Sequence, residues 1–211
     1  TMFYSEIEDF QAQTLIPGPS GTSVFTVANA GVVESYGFEG EITARPTNAL
    51  TLSTAFAYTK AEFEEFPNAP CYALQSAADG CTVTAGQRTQ DLQGQTLANA
   101  PEWIVNALAR YDFTFGGLDA FAQAGAQYRS EVQSSITNDP NTIIDGRTLV
   151  DVQLGIDFAQ GRGAFTVFAR NLFDESFPEA IVAMPFDTGG YAQFRTLEAE
   201  QTFGATLALR Y

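Results

Sequence analysis

Apolar and polar residues alternate with period two along most of the chain, and helical periodicity is nearly absent. The clearest case is 101–115. Trp103, Val105, Ala107, Ala109, Tyr111, Phe113 and Phe115 fall on one face, and Glu102, Asn106, Arg110, Asp112 and Thr114 fall on the other. Successive side chains of a strand point to opposite faces, so this pattern predicts a strand with one apolar side. The same reading gives eight strands, at about 2–13, 22–45, 49–63, 101–115, 118–131, 147–158, 164–173 and a last one ending at Tyr211. Asn29-Ala30-Gly31 marks an irregularity in the second. Its later half sets Tyr36, Phe38, Ile42 and Ala44 against Glu39, Glu41, Thr43 and Arg45. In the last strand Phe203, Ala205, Leu207, Leu209 and Tyr211 align.

The connections alternate in length. Those after strands two, four and six are short, at 46–48, 116–117 and 159–163. Those after strands one, three, five and seven are longer, at 14–21, 64–100, 132–146 and 174–194. Short turns on one rim and long loops on the other is the arrangement of an outer-membrane β-barrel. Strand length points the same way. At roughly 3.3 Å per residue the 101–115 strand reaches about 50 Å, whereas soluble strands usually run about 5–6 residues. A soluble barrel or sandwich explains the alternation equally well, but explains the lengths and the one-sided loops poorly. The expected fold is all-β, an antiparallel up-and-down transmembrane β-barrel whose strands form a consecutive meander.

Composition narrows this further. No apolar run is long enough for a transmembrane helix, and mean hydropathy is only −0.06. A membrane strand needs an apolar residue only at every second position. The 10 basic residues against 25 acidic ones argue against a nucleic-acid partner, which needs basic clusters. With no His, a Ser-His-Asp or Cys-His catalytic set and a histidine metal site are excluded. No catalytic residue, metal site or cofactor is assigned, and no enzymatic activity is expected. The polar faces carry Glu39, Glu41, Arg110, Asp112, Arg129, Asp151 and Asp157. Facing lipid near the midplane, each Arg would cost about 2–4 kcal/mol, so these faces are expected to line the lumen. Asn138-Asp139-Pro140-Asn141 reads as a turn held by Asx hydrogen bonds, or as a loose set of calcium-type oxygens. Glu62, Glu64 and Glu65 read as a solvated rim rather than as paired catalytic carboxylates.

Several stretches together resemble the TonB-dependent outer-membrane receptors. They are Ser35-Tyr36-Gly37-Phe38-Glu39-Gly40-Glu41, then the 91–103 stretch with Gly94, Leu97 and Ala100-Pro101, then Asn171-Leu172-Phe173-Asp174 with Phe177, and Thr202-Phe203-Gly204 through Tyr211. Gln201 stands where many members carry Arg, and Tyr211 replaces the commoner Phe. The resemblance implies a barrel of about 22 strands with a plugged lumen. The whole of 1–211 then reads as the C-terminal part of one barrel domain, with the plug outside this sequence. The chain opens on Thr1 almost directly in a strand, as a fragment or a processed product would. A complete eight-stranded barrel is the other possibility on strand number alone.

The resemblance implies import of a scarce ligand, such as a ferric siderophore, across the outer membrane of a Gram-negative bacterium. A passive pore or a small structural barrel is the alternative. The implied partners are outer-membrane lipid, the rest of the barrel and its plug, the TonB energy-coupling complex through an N-terminal part, and the barrel-assembly machinery. The last would read Phe203, Leu207, Leu209 and Tyr211 in the final strand. Outer-loop candidates for ligand contact are Tyr72, Arg88, Arg147, Phe186 and Tyr191. Cys71 and Cys81 lie in the longest loop, on the oxidising outer side, so a disulfide is expected.

Overall fold

The alternating stretches pair into one eight-stranded antiparallel sheet in the computed structural model, which describes residues 1–17, 23–184, 187 and 189–210. The strands are β1 (Met2–Glu8), β2 (Val32–Ala44), β3 (Leu50–Glu65), β4 (Trp103–Phe115), β5 (Leu118–Arg129), β6 (Arg147–Phe158), β7 (Gly163–Arg170) and β8 (Thr202–Leu209). Each pairs with the next in sequence, so the sheet is the expected meander. Short connections lie on one rim and long ones on the other. The tightest is Gly116-Gly117, whose φ values of 60° and 82° suit a two-residue hairpin turn with left-handed residues.

Three expected boundaries are corrected. The first strand ends at Glu8, not near Gln13, and the second begins at Val32, not near Thr22. Asp9 and Gly31 both take positive φ, 53° and 55°, which breaks the ladder. Gly31 also admits no side chain, since a Cβ there would stand 2.7 Å from the Glu65 carbonyl oxygen. Beyond this break Gln11–Pro17 and Ser23–Asn29 pair as a separate hairpin. The seventh strand ends at Arg170 rather than 173, because Asn171 turns left-handed with φ 46°. The eighth ends at Leu209; Tyr211, expected to close it, lies outside the described residues, as does Phe186.

Facing follows the alternation. One side of the sheet carries Phe38, Tyr58, Trp103, Tyr111, Leu154, Phe165, Phe203 and Leu207. These side chains are exposed: Leu154 keeps 56% of its surface and Phe203 67%. The buried apolar residues gather elsewhere, at the long-loop end, around Val33, Phe63, Phe66, Ala69 and Leu92. A soluble sandwich would hide its apolar face in a core, and an exposed apolar surface of this extent marks contact with another apolar medium. From Trp103 to Phe115 the face runs about 40 Å along the strand, or about 28 Å at a tilt of about 45°, close to an apolar membrane band. Aromatic rings gather toward both ends of this band. Phe38, Tyr58 and Trp103 contact one another on the long-loop side with centroids 4.9–5.8 Å apart, and Tyr111 stacks on Phe113 on the other.

The opposite side is polar and concave. It bounds an open cavity of about 1080 Å³ lined by Glu41, Asn106, Gln123, Asp151, Gln153 and Thr206, among others. Five glycines in the ladder sit directly across from a phenylalanine: Gly37–Phe3, Gly40–Phe56, Gly155–Phe121, Gly163–Phe158 and Gly204–Phe168. The ring lies where a Cβ would go, 2.1 Å away at Gly163 and 2.2 Å at Gly155. A flat ring over a cross-strand glycine covers backbone that the glycine leaves bare. On the concave wall Phe121 also carries the Arg110 guanidinium, 3.9 Å from its centroid, and Arg110 in turn pairs with Asp112 at 2.8 Å. Gly155→Val is therefore expected to displace Phe121 and lower barrel stability by about 1–3 kcal/mol. Gly155→Val with Phe121→Ala should recover part of that loss. The midpoint of heat-induced unfolding on gels reads both.

Candidate functional site in the outer loops

The long loops on one rim carry the sequence's candidate contacts. The 66–102 loop is not structureless, although its sequence shows no periodicity. Ala69–Pro70, Gln87–Gln90 and Thr82–Thr84 form a small antiparallel sheet, and Cys71 and Cys81 are joined, with Cα atoms 5.8 Å apart. Inside the disulfide loop Ser76 starts a short 3-10 turn, Ala77–Asp79. Its hydroxyl and backbone N–H both donate to Asp79, which holds that carboxyl below its ordinary value. Gln75, 5% exposed, donates to the Asp79 carbonyl and to Gln90.

Side-chain hydrogen bonds then tie the loops to one another. Gln90 donates to the Thr137 carbonyl at 2.9 Å, and Asn138 donates to the Thr96 carbonyl at 3.2 Å. The 171–201 loop contains a hairpin, Ala180–Ala183 with Tyr191–Phe194. The Ser134 hydroxyl meets both the carbonyl and the N–H of Ile181 at 3.1 Å. Val132, Ile144 and Ile181 pack into a small apolar core beneath Tyr191. Three loops are thus one body.

At the centre of that body is Asp139, 1% exposed. A carboxylate can be buried when donors surround it. One oxygen accepts from the backbone and side chain of Asn141, at 2.9 and 3.0 Å, and the other from the Tyr191 hydroxyl at 2.7 Å. The 138–141 stretch is therefore a hydrogen-bonded turn, with Asp139 capping the 3-10 turn Pro140–Thr142. Burial and the Asp139 charge push the Tyr191 phenol up, and burial with the charges of Asp79 and Asp139 pushes Tyr72 up.

Of the candidates named from sequence, Tyr191 bonds Asp139, and Tyr72 lies near enough to feel its charge. Arg88 instead donates to the Gln75 carbonyl within its own loop. Arg147 bonds Glu179 and lies 3.8 Å from the Phe177 ring centroid. Asp139, Gln90, Ser134 and Glu179 were not foreseen as organising residues; only Asp139 had a local signal, the Asp-Pro-Asn turn.

The Asn171-Leu172-Phe173-Asp174 stretch acquires a physical reason. Asn171 is 2% exposed and left-handed, a conformation that Asn tolerates better than most residues. Its side-chain amide donates to the Glu175 carbonyl at 2.9 Å and accepts from the Glu175 N–H at 2.8 Å. Its backbone N–H donates to the Asp151 carboxylate on β6 at 2.9 Å. One residue ends β7, closes the turn and fixes it to the wall.

A family model described as TonB dependent receptor-like, beta-barrel, matches residues 1–172. The chain belongs to this family. The match takes in β1 to β7 and stops within the Asn171 motif. No curated protein matches the sequence.

Three solved structures share the family's fold with this chain. One is the ferric yersiniabactin uptake receptor FyuA from Yersinia pestis, with TM-score 0.70 and 14% identity over 98% of this chain and 26% of that one. Another is the siderophore receptor PiuA from Acinetobacter baumannii, at 0.65 and 17% over 98% and 25%. The FrpB iron transporter from Neisseria meningitidis (F3-3 variant) gives 0.55 and 13% over 98% and 27%. The chain spans about a quarter of the length of these structures.

Two outcomes follow from this geometry. Asn171→Ala removes both amide bonds and the left-handed preference, and should destabilise the outer end of β7 by about 2 kcal/mol. Hydrogen exchange at 171–176 should rise while exchange at β5 stays unchanged. The Tyr191 phenol is held above its ordinary value of 10.0 in the folded loops. Its stabilising effect is therefore fully present below about pH 10 and is lost as pH rises through the raised folded value. Amide protection at 139–142 should fall across that window in the wild type, and the fall should be absent in Tyr191→Phe.

Proposed function

We propose that this chain is the C-terminal part of the barrel of an outer-membrane receptor in a Gram-negative bacterium, and that the receptor imports a scarce ligand such as a ferric siderophore. The observation that carries the reading is the family match over residues 1–172. The three structural neighbours, a ferric yersiniabactin uptake receptor, a siderophore receptor and an iron transporter, agree with it. The exposed apolar face suits lipid, and the knitted outer loops suit a ligand-facing surface.

The sheet itself supports a wider barrel. Its order runs from β1 to β8 with no pairing between them among the described residues, so each edge strand is paired on one side. Lipid does not tolerate an unpaired strand edge. Further strands would close the wall, at the size class of plugged outer-membrane transporters. The concave polar face then meets water or a plug, and the TonB complex supplies energy through that plug. Phe203, Leu207 and Leu209 on β8 are the residues offered to the barrel-assembly machinery.

The test is uptake by a strain lacking the full-length receptor gene. Under iron limitation, accumulation of radiolabelled ferric siderophores should fall for at least one compound, and removal of TonB should produce the same loss. Accumulation that persists without TonB yet disappears with the gene would make the protein a passive pore. No change for any compound would remove siderophore import from the reading.

A further inference from the structure

One row of the concave wall crosses β5 to β8 as Gln123, Gln153, Phe168 and Gly204, each directly opposite the next. The row carries no charge, in a chain of formal net charge −15. Gln123, Gln153 and Phe168 line the open cavity of about 1080 Å³. Nearer the outer loops, Asn106 on β4 and Gln127 on β5 stand opposite each other and line it too. Among the described residues none of these four side-chain amides bonds to protein. The outer-loop amides differ: those of Gln75, Gln90 and Gln133 each bond to a protein partner. The amides of the wall therefore keep their donors and acceptors for the lumen. The Phe168 ring lies over Gly204, its tip 2.3 Å from where a Cβ there would stand, so it is set into the wall. The Arg170 guanidinium is 5.2 Å from its centroid.

We propose that this row is a binding track for an uncharged, hydroxyl-rich solute, a short saccharide. A sugar hydroxyl both donates and accepts, and an amide offers both without carrying charge. A sugar ring also has an apolar C–H face, which an aromatic ring can cover. The row supplies the two in sequence, amides first and then the ring. Neighbouring strands lie about 4.8 Å apart, so Gln123 to Phe168 spans about 10 Å, the length of a disaccharide. Thr166 and Thr206 stand opposite each other in the next row toward the short turns, and they line the same cavity with two hydroxyls. Arg170 adds donors beside the ring. A carboxylate or phosphate would find only the donor half of each amide useful and would leave its acceptor unmatched. The inference rests on the receptor reading and names the chemistry of a part of the cargo that meets the wall.

Maltotriose, cellotriose and xylotriose are the probes, titrated against the full-length receptor in membrane nanodiscs, with sodium succinate as the charged control. At least one trisaccharide should bind, and succinate should not compete with it. Phe168→Leu keeps an apolar cover over Gly204 and should weaken that binding about fivefold, the aromatic share of the contact. Gln123→Leu with Gln153→Leu should weaken it about thirtyfold, the usual net worth of two hydrogen bonds. Thr206→Cys leaves the row intact and supplies a second readout. Its reaction with a water-soluble maleimide should slow when the trisaccharide is present, which still reads the site if the Leu variants fail to fold. Absence of binding by all three sugars overturns the proposal and leaves the row to the plug. Binding that either set of Leu substitutions leaves unchanged overturns it too, as does a Thr206→Cys reaction that the sugar does not slow. Any of these results, alongside siderophore accumulation that depends on the gene and on TonB, leaves the receptor reading standing. Loss of that reading shows instead in the gene-deletion assay.

Discussion

Everything in this chain depends on how a strand can exist in hydrocarbon. No water is present there to satisfy backbone N–H and C=O groups, so every strand must pair on both sides. The six inner strands meet that demand along their shared ladders, and the longer ones, such as β3 and β4, can carry an apolar band across the bilayer. Because side chains alternate, the same ladder that satisfies the backbone also sorts the residues. Phe38, Trp103, Tyr111 and Leu154 go outward, and Gln123, Asp151 and Gln153 go inward. The Gly–Phe pairs serve the same constraint. They cover the backbone at glycine positions on both sides of the wall.

Above the membrane the rule changes, and so does the chemistry. Water competes there for every exposed polar group, so the loops are fixed by buried polar residues instead of by long ladders. Asp139, Gln90, Gln75 and Asn171 are each almost fully buried and each bonded to protein donors or acceptors. Their partners lie in other loops or across a turn, which makes the outer surface one connected body. The disulfide adds a covalent closure within the 66–102 loop.

The barrel wall was legible in the sequence because its information is local. Period two is visible in any ten residues, and the β6 strand was placed at 147–158, where it stands. The alternation of loop lengths located the rims for the same reason. The errors came where a single backbone angle decides. Positive φ at Asp9 and Asn171 ended β1 and β7 earlier than the side-chain pattern suggested, and neither residue is a glycine. The loop network was not legible at all. Tyr191 meets Asp139 across 52 positions, and Glu179 meets Arg147 across 32. No periodicity links such pairs; only the folded loops bring them together. Tyr72 and Tyr191 stand out in the sequence as aromatic loop residues, while Glu179 looks like any surface acid.

The central claim is that one face of this sheet meets lipid and the other meets a hydrated interior. A cysteine scan through 103–115 of the full-length receptor, in intact outer membranes, tests it most directly. Labelling by a water-soluble maleimide should alternate with period two. It should be low at 105, 107, 109, 111 and 113, and high at 106, 108, 110 and 112. Uniform labelling of both sets, or the opposite phase, would contradict the account.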